Sequence, residues 1–327
     1  MNLDLLNYLK EYKFFNVRII NDNTNSGINA IIKKIYVINL FEDIRKRNYI
    51  TILFKKYKIN YNLIIVDRID KEIYDKLITN NRISVAELGC CMSHMWCLSD
   101  MLKNKHENCI IFEDDVIFSK TFVESFLNIF KKQPKIDFLM LGAHDYNFSK
   151  IHYKNVKNNL YRPEKVFKTL YGAHANYYSN VAAEKMLSIR ATNLSFFDND
   201  YNLLFNSFPN SYICYPNLVI ANVSESLLDH EKHFFSEAEI GYYNLCFDNL
   251  NLNNYNLIYT NLLDLSLLKK NDSVKSFLIR CFMNKFRDQN KSTYIINRCT
   301  LDFFTINDLK LILSNQSLIE PNTLSKK

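Results

Sequence analysis

Cys109-Ile110-Ile111-Phe112-Glu113-Asp114-Asp115-Val116 is the stretch from which the fold is read. Its apolar run, rich in isoleucine and phenylalanine, describes a strand covered on both faces, as in sheets flanked by helices. The run then stops in three carboxylates. Ionised groups beside a core need a cation or hydrogen-bond donors, so something positive is expected there. In open parallel sheets ligands collect at the carboxyl ends of strands, where Glu113-Asp114-Asp115 would lie. Alternation along an extended chain puts Glu113 and Asp115 on one side and Asp114 on the other. A Glu-x-Asp pair suits Mn²⁺ or Mg²⁺, hard cations that take carboxylates, waters and phosphate oxygens. The plainer reading makes the three residues a solvent-facing lead into the next helix.

Upstream, Ile35-Tyr36-Val37-Ile38-Asn39-Leu40 is a largely apolar, β-rich run. A charged amphipathic stretch to about Lys58 and a second run, Leu63-Ile64-Ile65-Val66, complete a strand, helix, strand opening. Ser84-Val85-Ala86-Glu87 makes a capping box ahead of a helix through Met92, Trp96, Leu98 and Met101. Downstream, Thr121-Phe122-Val123-Glu124 reads as another capping box, with Phe122, Phe126, Leu127 and Phe130 at helical spacing until Pro134. Phe138-Leu139-Met140-Leu141 is the next strand, ending at Gly142. Strands alternating with helices imply a mainly parallel sheet covered on both faces, an α/β class resembling a Rossmann arrangement. Residues 145–168 read as polar and turn-rich. Ala182, Met186 and Leu187 suggest a helix, and Ser211 to Ile220 a strand at which the sheet closes.

The ends differ from this middle. Residues 1–31, with the amphipathic Leu5, Leu6 and Leu9 and a short apolar run from Val17 to Ile20, read as an N-terminal extension. Residues 236–327 read as an appended helical C-terminal region, with Thr305-Ile306-Asn307-Asp308 capping its last helix. Within it Phe277, Leu278, Cys281 and Phe282 form an apolar stripe beside Lys275, Arg280, Lys285 and Arg287. That pattern fits either a helix facing its own core or peripheral contact with an anionic membrane.

At 327 residues, one main domain with an appendage is expected. A 48% hydrophobic share with only 5 Gly and 5 Pro excludes disordered and fibrous classes. The 41 basic against 34 acidic side chains, net +7, favour anionic partners such as a nucleotide diphosphate or a phospholipid surface. No dense basic run with interleaved aromatics occurs, so nucleic acid is not an expected partner. The 8 cysteines, Cys90, Cys91, Cys97, Cys109, Cys214, Cys246, Cys281 and Cys299, show no paired metal-ligand spacing and read as reduced, mostly buried thiols. Asp4, Lys10 and Glu11 interrupt any signal-peptide pattern and no segment has the length of a membrane span, which together predict a cytoplasmic protein.

Glu87-Leu88-Gly89-Cys90-Cys91-Met92-Ser93-His94, with Trp96 close behind, and then Ile110-Ile111-Phe112-Glu113-Asp114-Asp115-Val116, resemble glycosyltransferase family 25. That family includes bacterial lipooligosaccharide galactosyltransferases and collagen hydroxylysine galactosyltransferases. Further matches follow in the family's order: Tyr36-Val37-Ile38-Asn39-Leu40 with Arg45-Lys46-Arg47, Asp137 to Gly142, Gly172-Ala173-His174-Ala175 with Ser179, and Tyr215-Pro216-Asn217-Leu218-Val219-Ile220. The resemblance covers about Lys33 to Leu228.

The resemblance implies a GT-A domain over residues 32–235 that takes a UDP-sugar donor, most often UDP-galactose or UDP-glucose. It further implies Mn²⁺ (or Mg²⁺) on Glu113 and Asp115 and inversion at the anomeric carbon. The acceptor would be a glycan, a lipid-linked glycan or hydroxylysine. Donor contacts are expected from Asn39, Arg47, Glu87, Gly89, Ser93, His94, Asp114 and His174, although Glu87 already has a role in its capping box. The base that takes the acceptor's proton would be Asp198 or Asp200 in Phe196-Phe197-Asp198-Asn199-Asp200-Tyr201. Asp200 is preferred because Leu203 and Leu204 can anchor a helix behind it; the alternative is a solvated turn or a helix cap. Ala173, Asn176, Tyr177, Asn222 and Ser224-Glu225-Ser226-Leu227-Leu228 depart from the family pattern, which leaves acceptor specificity open. Two rivals stand beside the transferase: a nucleotidyltransferase or hydrolase using the same carboxylates, and a catalytically silent nucleotide-sugar-binding or assembly protein. The lack of a Gly-rich phosphate loop disfavours an NTPase.

Overall fold

The computed structural model describes residues 15–20, 27–78, 83–145, 153–157, 160–163, 170–192, 194–214 and 217–221. The Leu5–Leu9 pattern, Tyr215-Pro216, Asn222, Ser224–Leu228 and the whole 236–327 region lie outside the described residues. In chain order, β1 (Phe15–Ile20) is followed by α1 (Gly27–Ile31), β2 (Lys34–Leu40), α2 (Ile44–Lys56), β3 (Tyr61–Val66) and α3 (Lys71–Leu77). Next come α4 (Val85–Lys103), β4 (Asn108–Glu113), β5 (Val116–Phe118), α5 (Phe122–Lys132), β6 (Phe138–Met140) and β7 (His144–Asp145). The chain continues through β8 (Tyr153–Lys157), β9 (Leu160–Pro163), β10 (Leu170–Tyr171), β11 (Ala175–Ser179) and α6 (Asn180–Thr192). A 3-10 turn (Phe197–Asp200), α7 (Tyr201–Ser207), β12 (Ser211–Cys214) and β13 (Val219–Ala221) complete it.

The architecture is mixed α/β around a central nine-stranded sheet of order β1-β3-β2-β4-β11-β6-β12-β9-β8. Strands β3, β2 and β4 run parallel, as do β6 and β12. Every other neighbouring pair is antiparallel, including β11 against both β4 and β6. The expectation of a mainly parallel sheet is therefore corrected to a mixed one. Alternation of strand and helix reports only on neighbours in the chain, whereas β11 arrives between β4 and β6 without a crossover helix before it, and so runs the other way. The single strand expected over 211–220 is two strands in different sheets, since β13 pairs with β5. The turn-rich stretch 145–168 contains β8 and β9, which close one edge. The stretch read as an N-terminal extension supplies β1 at the other edge and α1, whose Ile28 is buried.

Period-two alternation divides the strands between two cores. Ile111, Tyr36, Ile64, Phe138 and Tyr178 face α4, α6 and α7, where they meet Leu88, Met92, Met95, Leu98 and Met186. Ile110, Phe112, Val37 and Leu139 face the opposite way, onto Ile50, Leu53, Phe54, Phe122 and Phe126. Rings of Phe54, Phe112, Phe118 and Phe122 interlock there at centroid separations of 4.3–6.3 Å. Helix α4 starts where the sequence predicts it: the Ser84 hydroxyl accepts from Glu87 N–H while the Glu87 carboxylate accepts from Ser84 N–H. Thr121 occupies the cap position of α5 but makes no side-chain cap hydrogen bond, so the second expected capping box does not form. Its hydroxyl instead accepts from Ser125 Oγ at 3.1 Å. Gly142 is a steric requirement: a Cβ there would lie 1.8 Å from the Val219 carbonyl oxygen and 2.6 Å from His174 Nε2.

Candidate functional site

The carboxyl ends of β2, β3 and β4 and the first turns of α4 enclose a cleft of about 580 Å³. Asn39 and Leu40 enter it from β2, Val66 and Asp67 from the end of β3, and Glu113, Asp114 and Asp115 from the end of β4. Helix α4 contributes Gly89, Cys90, Ser93 and His94, and α2 contributes Lys46. The alternation expected for the acidic residues ends at Glu113, the last residue of β4; Asp114 and Asp115 form a turn. Each carboxylate consequently meets a different environment.

Asp114 is held from two sides. Asn39, fully buried, donates through Nδ2 to Asp114 Oδ2 at 2.7 Å, and Lys46 Nζ reaches Asp114 Oδ1 at 3.2 Å. Arg47 Nε donates to Asn39 Oδ1 at 2.8 Å, which fixes the amide so that its NH₂ must face Asp114. Arg47 Nη2 donates to the carbonyls of Leu40 and Phe41. Arg47, expected at the donor, thus braces the end of β2 and does not line the cleft, while Lys46 does line it. Burial alone would lower the Lys46 ammonium, but the charges of Asp115 and Asp114 push it up to about 12. Burial raises the Asp114 carboxyl, with Lys46 and Asn39 opposing.

Glu113 turns toward α4. Its Oε1 lies 3.0 Å from His94 Nε2 and 3.5 Å from Cys90 Sγ. Cys90 and His94 are one helical turn apart, and these three ligand-capable atoms all lie within 4.8 Å of one another. The cysteines show no metal-ligand spacing among themselves; the partner of Cys90 here is a histidine, in a Cys-x-x-x-His pattern on one helix. The His94 ring is buried and stacked on Phe197 at 4.5 Å. Burial would raise the Glu113 carboxyl, yet the hydrogen bond and charge of His94, with His174 and Cys90 adding, hold it below its ordinary value. Among the described residues the other cysteines, Cys91, Cys97, Cys109 and Cys214, are free and buried.

Asp115 has the least compensation. Its Oδ1 is buried with no hydrogen-bond partner. Burial pushes its carboxyl up to about 8, Lys46 opposing and the charges of Glu113 and Asp114 adding. Asp115 thus offers an unpartnered buried carboxylate oxygen to a cation, but the three acidic residues do not converge on one point: among the described residues the ligand atoms that lie within 4.8 Å of one another are those of Cys90, His94 and Glu113.

The other expected residues spread out from this wall. Ser93 and Gly89 line the cleft, with Ser93 Oγ donating to the Gly89 carbonyl at 2.7 Å. A Cβ on Gly89 would make only ordinary contact, 3.7 Å from Ile69, so glycine widens the cleft there without relieving a clash. Glu87 is engaged in its capping box and does not line the cleft. His174 lies behind β4: its carbonyl accepts from Glu113 N–H at 2.9 Å and its ring lies 3.4 Å from the Val219 carbonyl. Burial lowers its imidazole below the ordinary value.

Asp198 and Asp200 separate clearly. Asp200 is ion-paired with Arg190, whose side chain is fully buried and also donates to the Phe196 carbonyl at 2.9 Å. Asp198 Oδ2 accepts from Gly172 N–H at 2.8 Å, a backbone at φ 126° that favours glycine. Burial raises the Asp198 carboxyl, the Gly172 bond opposes this, and the charge of Glu113 adds to it. Asp198 therefore shares an electrostatic environment with the acidic wall.

No described helix is long and apolar enough to cross a membrane. Residues 32–191 match the family model described as Glycosyltransferase family 25 (LPS biosynthesis protein). No curated protein matches the chain. Among solved structures the chain is similar to a UDP-glucose pyrophosphorylase complexed with UDP-glucose, at 8% identity and TM-score 0.34, over 55% of this chain and 72% of that one. It is also similar to a mannose-1-phosphate geranyltransferase from Thermus thermophilus, at 8% identity and TM-score 0.30, over 61% of this chain and 65% of that one.

Proposed function

Taking residues 32–191 as the glycosyltransferase family 25 domain to which they match, we propose a metal-dependent hexosyltransferase of the GT-A kind. It moves galactose or glucose from a UDP-sugar to a glycan, lipid-linked glycan or hydroxylysine acceptor, with inversion. The observation that carries this reading is the Asp115 oxygen, buried and unpartnered at the carboxyl end of β4, where a cleft opens beside two more carboxylates. We assign the catalytic domain to 32–235 and an appended region to 236–327. We assign the protein to the cytoplasm, free or peripheral on a membrane through the basic, apolar pattern of residues 274–287.

Glu113 and Asp115 would hold Mn²⁺ or Mg²⁺. Bound there, the cation supplies Lewis-acid stabilisation of the departing diphosphate. Lys46 adds a positive charge at the same wall, and Asn39, braced by Arg47, keeps Asp114 turned toward it. Gly89 and Ser93 leave room along α4 for the donor. For the acceptor we favour Asp198 over Asp200. Asp200 is ion-paired with Arg190, whereas Asp198 has no such partner among the described residues and its carboxyl is raised by burial, which makes it the stronger proton acceptor once ionised.

The test is turnover of UDP-galactose, UDP-glucose and their N-acetyl forms, with Mn²⁺ or chelator, in wild type and Asp115→Ala. Metal-dependent hydrolysis or transfer that disappears in the variant supports the reading. Metal-dependent UDP binding with no turnover on any acceptor or water would replace it with the silent nucleotide-sugar-binding protein.

A further inference from the structure

We infer that Cys90, His94 and Glu113 form a binding site for a borderline-soft divalent cation of the Zn²⁺ class, on the wall of the cleft. The donor chemistry differs from that of the carboxylate pair assigned to Mn²⁺ or Mg²⁺. A thiolate and an imidazole select Zn²⁺ or Co²⁺ over hard cations, which prefer oxygen. Four-coordinate Zn²⁺ with ligand bonds of roughly 2.0–2.3 Å sets nitrogen and oxygen roughly 3.3 Å apart and sulfur and oxygen roughly 3.5 Å apart. The protein holds His94 Nε2 at 3.0 Å and Cys90 Sγ at 3.5 Å from Glu113 Oε1. Those two separations are within a few tenths of an ångström of what the cation needs, and the third, between Cys90 and His94, lies within 4.8 Å.

Three further features fit. Cys90 and His94 sit one turn apart on α4, so a single rigid helix presents both. Phe197 stacked on the His94 ring fixes its plane. All three residues line the cleft, which leaves a fourth position open to water or substrate. Binding displaces the thiol proton to solvent and leaves the imidazole proton on Nδ1, the nitrogen that has no partner among the described residues. Because Glu113 serves both sets, a Zn²⁺-class cation antagonises Mn²⁺ in turnover. That consequence alone rests on the transferase reading; the binding itself does not.

The experiment is a Co²⁺ titration of the reduced, chelator-stripped full chain. Its readouts are the thiolate-to-cobalt charge-transfer band in the near ultraviolet and the visible bands of four-coordinate cobalt. The expected result is a saturable band that Zn²⁺ displaces and excess Mg²⁺ does not. Cys90→Ser abolishes the charge-transfer band, and His94→Gln weakens Co²⁺ by about 10-fold or more. Absence of the band in wild type, or its persistence in Cys90→Ser, overturns the proposal. If Cys90→Ser does not fold, alkylation of the wild type decides. Protection of Cys90 by Zn²⁺, read by peptide mass, supports the site, and unchanged labelling overturns it. None of these readouts needs turnover, so failure here and failure of the transferase reading are distinguishable.

Discussion

Two acidic turns in this molecule solve the same electrostatic problem in opposite ways. Asp200, at the start of α7, is compensated within the fold by the buried Arg190, which also ties down the Phe196 carbonyl. Glu113-Asp114-Asp115, at the end of β4, is compensated by Asn39, Lys46 and His94 at two of its three carboxylates, and Asp115 retains a buried oxygen with no partner. A carboxylate matched to its own arginine is a structural element. One that burial raises, with a buried oxygen that no hydrogen bond reaches, is available to a ligand. Asp198 lies between the two cases, anchored by one backbone N–H and close enough to feel the charge of Glu113.

The largest effect expected from this contrast is on turnover in Asp115→Ala, which falls by roughly 10³-fold. In chelator the same variant should unfold within about 1 kcal/mol of wild type, because Lys46 keeps its ion pair with Asp114. A melting temperature that drops steeply in chelator would erase the distinction. Asp200→Ala should reverse the pattern, costing about 3 kcal/mol in denaturant unfolding because Arg190 is left buried and unpaired, with UDP binding unchanged.

Asp198→Asn should lower kcat by about 10²-fold with little change in the donor KM. Its pH profile sharpens the point. The base works ionised, and burial raises its carboxyl, so wild-type kcat should rise with pH through a value above the ordinary carboxylate range. That limb should vanish in the Asn variant; a limb that persists would return the role to another group. The smallest effect belongs to Glu87→Ala, which loses half a capping box and about 0.5–1 kcal/mol of stability. Its turnover should stay within about twofold, since Glu87 faces Ser84 and not the cleft. A fall of two orders of magnitude would make Glu87 a donor contact after all.

Local signals were legible where the chain itself supplies the partner. The Ser84–Glu87 capping box and the buried strand ending in a carboxylate each involve residues a few positions apart, and both appear as read. Thr121 shows the limit even there, since the right residues at the right spacing did not form the bond. Lys46 and Arg47 sit in one basic cluster, and the sequence does not say which of them faces the acidic wall. Helical geometry turns adjacent side chains apart by about 100°, and only the position of Asp114 selects between them.

The sequence by itself determined which segments are strands and helices over most of the central region, and that a carboxylate cluster follows a buried strand. Those features follow from periodicity, propensity and burial cost, which act between neighbours in the chain. Only the tertiary structure decided that the sheet is mixed, that Asn39 and Asp114 meet across 75 residues, and that Arg190 claims Asp200 and leaves Asp198 beside the site. It alone also brought Cys90 and His94 against Glu113. These outcomes depend on strand order and on which charges the fold buries side by side, and no local pattern carries that information.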